Sequence, residues 1–243
     1  MHAVREVSFD IPEGALTALI GPNGAGKSTL FNLITNLYAS DTGTVTFFGT
    51  PLAGMRSDAI ARLGLVRTFQ TARVFAGMTV LDNVLAGQHI RTRTPAWTHA
   101  LRLPRARREE RALVERADAL LDALGLASVR DRAATALPLG TQKLVELARA
   151  VVARPRLLLL DEPAAGLNDA ETDELASVLL AIHRSGTTVF VVEHNMSLVM
   201  GIADHVLVLD AGALIARGSP AEIQANRSVV EAYVGRSAAV DGP

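Results

Sequence analysis

The stretch Gly21-Pro22-Asn23-Gly24-Ala25-Gly26-Lys27-Ser28-Thr29 constrains this chain more than any other. It fits G-x-x-x-x-G-K-[ST] and stands between a short apolar run, Ala15 to Ile20, and a helical pattern through Leu30, Leu33, Ile34 and Leu37. A strand that delivers a glycine-rich turn into a helix N-terminus forms a phosphate cradle. Glycines let consecutive N–H groups curl around an anion with no Cβ in the way. Lys27 brings a compact, mobile cation where the flat fork of an arginine would fit poorly. That choice stands out, because of 24 basic residues only Lys27 and Lys143 are lysine. Ser28 offers a hydroxyl to Mg2+, and the positive end of the helix dipole faces the anion. Residues 21–29 are therefore expected to hold the phosphates of a nucleotide.

The rest of the chain alternates. Leu157 to Leu160 is a run of four leucines between Pro155 and Pro163, and with Thr187 to Val192 and Val206 to Leu209 it reads as a buried strand. Helices are expected over Thr141 to Ala153, Ala170 to Ser185 and Ser197 to Ile202, and further strands over Val4 to Phe9 (an edge strand) and Thr44 to Phe48. Apolar strands between helices imply a mostly parallel sheet covered on both faces, an α/β fold. Met78 to Val129 reads as almost wholly helical, an insertion into that sheet domain. Asp161 and Glu162 follow the four leucines, at the strand end where parallel sheets bind ligands. Asp161 is expected to hold Mg2+ through water, and Glu162 to polarise the attacking water as general base.

Charge and composition close off other classes. The 24 basic residues nearly cancel 25 acidic ones, for a formal net charge of −1, which argues against a dedicated nucleic-acid binder. The absence of Cys excludes disulfides and thiolate catalysis. No apolar run approaches the roughly 18 residues of a membrane span. Arg5, Glu6, Asp10 and Glu13 break up the N-terminus, so it does not read as a signal peptide. The chain is expected to be cytosolic or peripheral to a membrane.

Two further residues complete an ordered set: Gln70 in Arg67-Thr68-Phe69-Gln70, and His194 in Val191-Val192-Glu193-His194-Asn195. The order of P-loop, Gln70, Asp161-Glu162 and His194 resembles the ATP-binding cassette (ABC) family over nearly the whole chain. The resemblance implies one nucleotide-binding domain over 1–243. Its P-loop ATPase core would span about 1–70 and 150–243, a mostly parallel sheet flanked by helices with a small antiparallel part, and a helical subdomain would span about 71–149. It makes Gln70 the glutamine that meets Mg2+ or the attacking water, and His194 the switch histidine between that water and the γ-phosphate. It makes Leu137-Pro138-Leu139-Gly140-Thr141-Gln142-Lys143 the signature segment. The family's usual form is L-S-G-G-Q, so Leu137 and Gly140 match and Gln142 stands one place further on. Asn168 occupies the D-loop position where Asp is usual. The aromatic that stacks on adenine would lie upstream of Met1, on a missing N-terminal piece.

In such a domain the signature and the P-loop lie on opposite sides. Two copies facing head to tail would set Gly140, Thr141, Gln142 and Asn168 of one against the triphosphate held by Lys27 of the other. The resemblance thus implies ATP and Mg2+ as ligands and a second ATPase subunit, identical or homologous. It also implies transmembrane permease subunits, indirectly a periplasmic or extracellular substrate-binding protein, and a place at the cytoplasmic face of the membrane. Pro138 in the signature, the runs Gly218 to Ile223 and Glu231 to Gly235, and a long Arg-rich insertion resemble the ATPases of branched-chain amino acid importers. Import of urea or short amides and export of lipopolysaccharide are the alternatives within the family. A soluble cassette switch is the alternative outside transport, although such chains usually carry two cassettes or a long coiled coil. Arg91 to Arg116 holds eight Arg against three Glu. It reads as a solvated helix face, or as a contact for permease loops or anionic headgroups. With only Trp97 nearby, no nucleic-acid partner is expected. Phe69 to Gly87 is expected to form the groove for a permease helix, with Phe75, Met78 and Val80 either walling it or serving the core.

Overall fold

A computed structural model describes residues 3–68, 74–88 and 104–237, with residues 104–107 and 234–237 described as backbone only. In chain order, β1 (Leu16–Ile20) runs into α1 (Lys27–Ile34), and β2 (Thr46–Phe47) and β3 (Thr50–Pro51) make a short hairpin. Next, α2 (Ser57–Leu63) leads into β4 (Leu65–Arg67). A helical portion follows, α3 (Val80–Gly87), α4 (Pro104–Ala123) and α5 (Leu139–Val151), in which α3 packs on both of the others. The chain then returns through β5 (Leu157–Asp161), α6 (Asp169–Arg184), β6 (Thr188–Val192), α7 (Met196–Ile202), β7 (His205–Asp210) and β8 (Ala213–Gly218). It ends in α8 (Pro220–Gln224) and α9 (Arg227–Ser237).

The main sheet has the order β4-β5-β6-β1-β7-β8, with β8 antiparallel to β7 and all other pairs parallel. Every residue of β1, β5 and β6 is buried, as a central strand covered on both faces requires. The period of two sorts their side chains into two cores. Leu16, Ala18, Leu158, Leu160, Val189 and Val191 meet α3 to α7 on one face. Leu19, Leu157, Leu159, Phe190 and Val192 meet α1, Phe47, Leu52 and Ile60 on the other.

Register aligns the strand ends. Asp161 pairs with Val192, Val192 with Leu19, and Leu19 with Leu207, one row across four parallel strands. The turns that leave β5, β6 and β1 therefore emerge side by side at one edge. Helix starts are fixed locally, by capping boxes at Thr79–Asp82, Asn168–Glu171 and Ser219–Glu222.

The structure departs from the expected pattern in four places. Val4 to Phe9 lies outside any strand; its alternation is a burial pattern, with Val4, Val7, Phe9 and Ile11 half-buried against the second core. The strand expected over Thr44 to Phe48 shrinks to β2. Helix α1 stops at Ile34, and Asn36 turns left-handed (φ 55°), leaving Leu37 exposed. The series continues past Leu209 into β8, α8 and α9. Among the described residues no helix is long and apolar enough to cross a membrane.

Candidate functional site

The loop between β1 and α1 is shaped by what presses on it. A Cβ on Gly21 would lie 2.1 Å from the carbonyl oxygen of Leu209, and one on Gly26 would lie 2.4 Å from that of Ala3. Gly26 also takes φ 100° as the residue before α1, and no side chain caps that helix, so its first-turn N–H groups are available to an anion. Lys27 folds back over the loop: its Nζ donates to the carbonyls of Gly21 at 2.6 Å and Pro22 at 3.1 Å. Burial pushes the Lys27 ammonium below its ordinary value, and the nearby Glu162 carboxylate opposes that shift. Ser28 is exposed at the first turn.

Asp161 is the last residue of β5 and is buried. Its Oδ2 accepts from Arg67 Nη2 at 2.9 Å, in an ion pair whose side chains are 12% (Arg67) and 10% (Asp161) exposed. Arg67, at the end of β4, also donates to Asn32 Oδ1 at 2.7 Å and Thr35 Oγ1 at 3.1 Å, and its guanidinium lies 5.1 Å from the centre of the Phe31 ring. One arginine thereby locks the acidic strand end to α1. Glu162 comes next, in the left-handed region at φ 48°, with its N–H donated to Val192 O at 2.9 Å. Such a backbone in a non-glycine residue persists only where its surroundings impose it. Glu162 Oε2 lies 3.8 Å from Nδ1 of His194, which is exposed just beyond β6. The Asp161 carboxylate and the Ser28 hydroxyl are both oxygen donors, the chemistry that suits Mg2+ completed by phosphates and water. Gln70 lies outside the described residues.

A second group gathers around the N-termini of α5 and α6. Helix α5 starts after Pro138 without a side-chain cap. Gly140 packs so closely on α6 that a Cβ would lie 2.7 Å from Glu171 Oε1. Thr141 is half-buried, and Gln142 turns its Nε2 back to Leu137 O at 2.8 Å. Asn168 caps α6, its Oδ1 accepting from Glu171 N at 2.9 Å. Leu139 is exposed beside Gly166.

Of the expected groove residues, Phe75 and Met78 are 48% and 41% exposed, whereas Val80 is fully buried. Val80 is a core residue of α3, whereas Phe75, ahead of that helix, carries Arg149 at 4.8 Å over its ring. Residues 91–103 of the Arg-rich stretch lie outside the described residues. At the far end of the chain, Tyr233 on α9 packs on the first core, and burial pushes its phenol up against an opposing contact from the backbone of Gly21.

Sequence reasoning passed over half-buried Arg67 and fully buried Glu193. Arg67 gave no local signal, since its role depends on β4 lying beside β5. Glu193 did have one, since an apolar strand followed by an acid is the pattern that singled out Asp161.

Comparison with known proteins bears on the family and the fold. The family model described as ABC transporter matches residues 4–165, and that described as branched-chain amino acid ATP-binding cassette transporter matches residues 213–239. The high-affinity branched-chain amino acid transport ATP-binding protein LivG of Salmonella typhimurium is 42% identical over 236 residues, 97% of this chain and 92% of that protein. BraF of Pseudomonas aeruginosa, which bears the same description, is 40% identical over the same shares. The ADP conformation of an ATP-binding cassette of an ABC transporter superposes with a TM-score of 0.82 at 34% identity, covering 96% of this chain and 92% of that one.

Proposed function

Since the chain belongs to the ABC transporter family and is its ATP-hydrolysing cassette, we propose that it powers uptake of branched-chain or related amino acids through membrane permeases. Similarity to LivG and BraF over nearly its whole length, and the second family match over the C-terminal residues, support that substrate class. The observation that carries the mechanism is the row Asp161–Val192–Leu19, which brings the turns bearing Glu162, His194 and the Lys27 loop to one sheet edge.

At that edge Lys27 leaves the carbonyls of Gly21 and Pro22 for the β- and γ-phosphates, where it meets full charge in place of dipoles. The uncapped N–H groups of α1, with the loop from Gly21 to Thr29, close around the same oxygens. Ser28 and Asp161, with Gln70, are the residues to hold Mg2+, which when bound neutralises charge building on the phosphates. Arg67, bonded to Oδ2 at 2.9 Å, keeps the Asp161 carboxylate aimed. Glu162 takes the proton of the attacking water, and His194 orients that water toward the γ-phosphate. The N-terminus of α5, with Gly140, Thr141, Gln142 and Asn168 around it, is offered to the nucleotide of a second copy or homologue. Residues 1–70 and 150–243 form the ATPase core, and the helical lobe 71–149 turns toward the permeases at the cytoplasmic face of the membrane. A substrate-binding protein acts indirectly, on the far side.

Glu162→Gln is expected to lower the rate of phosphate release by about a thousandfold while ATP affinity, read by calorimetry, stays put; a variant that turns over normally removes Glu162 from the mechanism. In vesicles carrying the permeases and binding protein, labelled leucine is expected to accumulate only with ATP on the cassette side. Accumulation of urea in place of leucine would assign the alternative substrate.

A further inference from the structure

The residue before His194 is a carboxylate wholly withdrawn from solvent, Glu193. An ionised carboxylate is costly to bury unless its oxygens are hydrogen-bonded and its charge is answered. The hydrogen bonds are in place. Its Oε1 accepts from Ala164 N at 2.7 Å, and its Oε2 accepts from His194 N at 3.1 Å and Asn195 N at 3.3 Å. Lys143, the second of the two lysines, is buried on α5 nearby: burial pushes its ammonium below the ordinary value, and the Glu193, Glu146 and Glu162 carboxylates oppose that shift. Lys143 Nζ donates to Pro163 O at 2.7 Å.

Pro163 and Ala164 directly follow Glu162. The turn that sets Glu162 is therefore gripped twice, through the Pro163 carbonyl by a lysine from α5 and through the Ala164 N–H by a carboxylate from the switch loop. A cavity of about 20 Å3, enough for one water, adjoins the grip between Thr68, Lys143, Glu146 and Pro163.

We infer that Lys143 and Glu193 are positioning residues for hydrolysis, a buried clasp that fixes Glu162 and His194 relative to each other and ties both to α5. Engagement of the α5 N-terminus by a partner copy's nucleotide then bears on this chain's own Glu162. The inference rests on the reading of Glu162 as general base. Both clasp residues spend their bonds on the turn after Glu162 and on the switch loop, so the clasp acts on turnover and leaves binding alone.

The test uses the full chain, with hydrolysis kinetics, ADP calorimetry and thermal unfolding on Glu193→Gln, Lys143→Met, the double variant and Lys143→Arg. Each single variant is expected to lose about a hundredfold in kcat through misplacement of Glu162, with KM and ADP affinity within about twofold of the parent. The double variant should be no slower than either single, because the two act as one unit. Lys143→Arg, which keeps a donor for Pro163, should recover most of the rate. Unchanged kcat in the singles with only a lower unfolding temperature overturns the inference, as do losses that multiply in the double variant. Should Lys143→Met not fold, Glu193→Gln and Lys143→Arg decide the matter by the same criteria. Hydrolysis that survives Glu162→Gln sinks the general-base reading itself. Inactivation by Glu162→Gln beside a normal rate for Glu193→Gln sinks the clasp alone.

Discussion

The P-loop and the signature segment are both helix N-termini, yet they are built differently. The loop before α1 is shaped by backbone, with Gly21 and Gly26 pressed under the carbonyls of Leu209 and Ala3 and one buried lysine folded across it. The turn before α5 is shaped by side chains already committed to their own chain, Gln142 to Leu137, Asn168 to Glu171, and Glu171 packed on Gly140. The first is fully shaped within one chain. The second presents a free helix end and little else, as expected of a surface that another copy's ligand completes. That difference explains how a signature so far from L-S-G-G-Q keeps its place: an uncapped helix terminus needs only its N–H groups.

The strongest way to break the first region is through its support. Arg67→Met leaves Asp161 buried without its ion pair and is expected to cost about 4 kcal/mol in urea unfolding; a loss below about 1 kcal/mol would mean the pair is not what holds the strand end. Next comes a contrast inside the loop. Gly21→Ala drives a Cβ into the Leu209 carbonyl and should cost about 3 kcal/mol. Gly24→Ala, at φ 79° with open space around it, pays only the left-handed backbone, about 1 kcal/mol. Equal losses would contradict the idea that packing shapes the loop.

Lys27→Ala should weaken ATP binding about a hundredfold, the scale of a lost charged contact. Its pH dependence has a definite sign. Burial holds the Lys27 value below the ordinary 10.5, so as pH climbs toward 10.5 the folded chain releases this proton before the unfolded chain does. Across that window the contribution of Lys27 to stability rises with pH, because the unfolded state holds more protons. Affinity for the nucleotide falls over the same window. The two slopes, read by unfolding and calorimetry, should be opposite in sign, and both should vanish in Lys27→Ala. The smallest effect belongs to the signature end: Gln142→Ala loses one hydrogen bond, about 1 kcal/mol of stability, and leaves the ATP affinity of a single chain untouched.

The two regions also differed in how far the sequence disclosed them. A glycine-rich turn after an apolar run is a local pattern, and so is the acid that ends a buried strand, so Gly21 to Thr29 and Asp161-Glu162 could be read without a partner. The parallel sheet followed from the four leucines and their neighbours for the same reason. What stayed hidden depends on contacts between distant segments. Val4 to Phe9 alternates like a strand, but a ladder needs a neighbour that its own residues do not specify. Val80 carries the same apolar signal as Phe75 and Met78, and only the packing of α3 on α4 and α5 buries it. That Arg67 would answer Asp161, 94 positions away, or that Lys143 would reach Pro163, is set by the register of β4 on β5 and the seat of α5.

The central claim is that one nucleotide is held at the seam between two copies of this cassette or between it and a homologue. Light scattering on Glu162→Gln, with and without ATP, tests it most directly. The account predicts a particle of twice the 25.7 kDa chain mass with ATP and a single chain without it. A mass that stays at one chain in saturating ATP, with the homologous subunit also supplied, would contradict it.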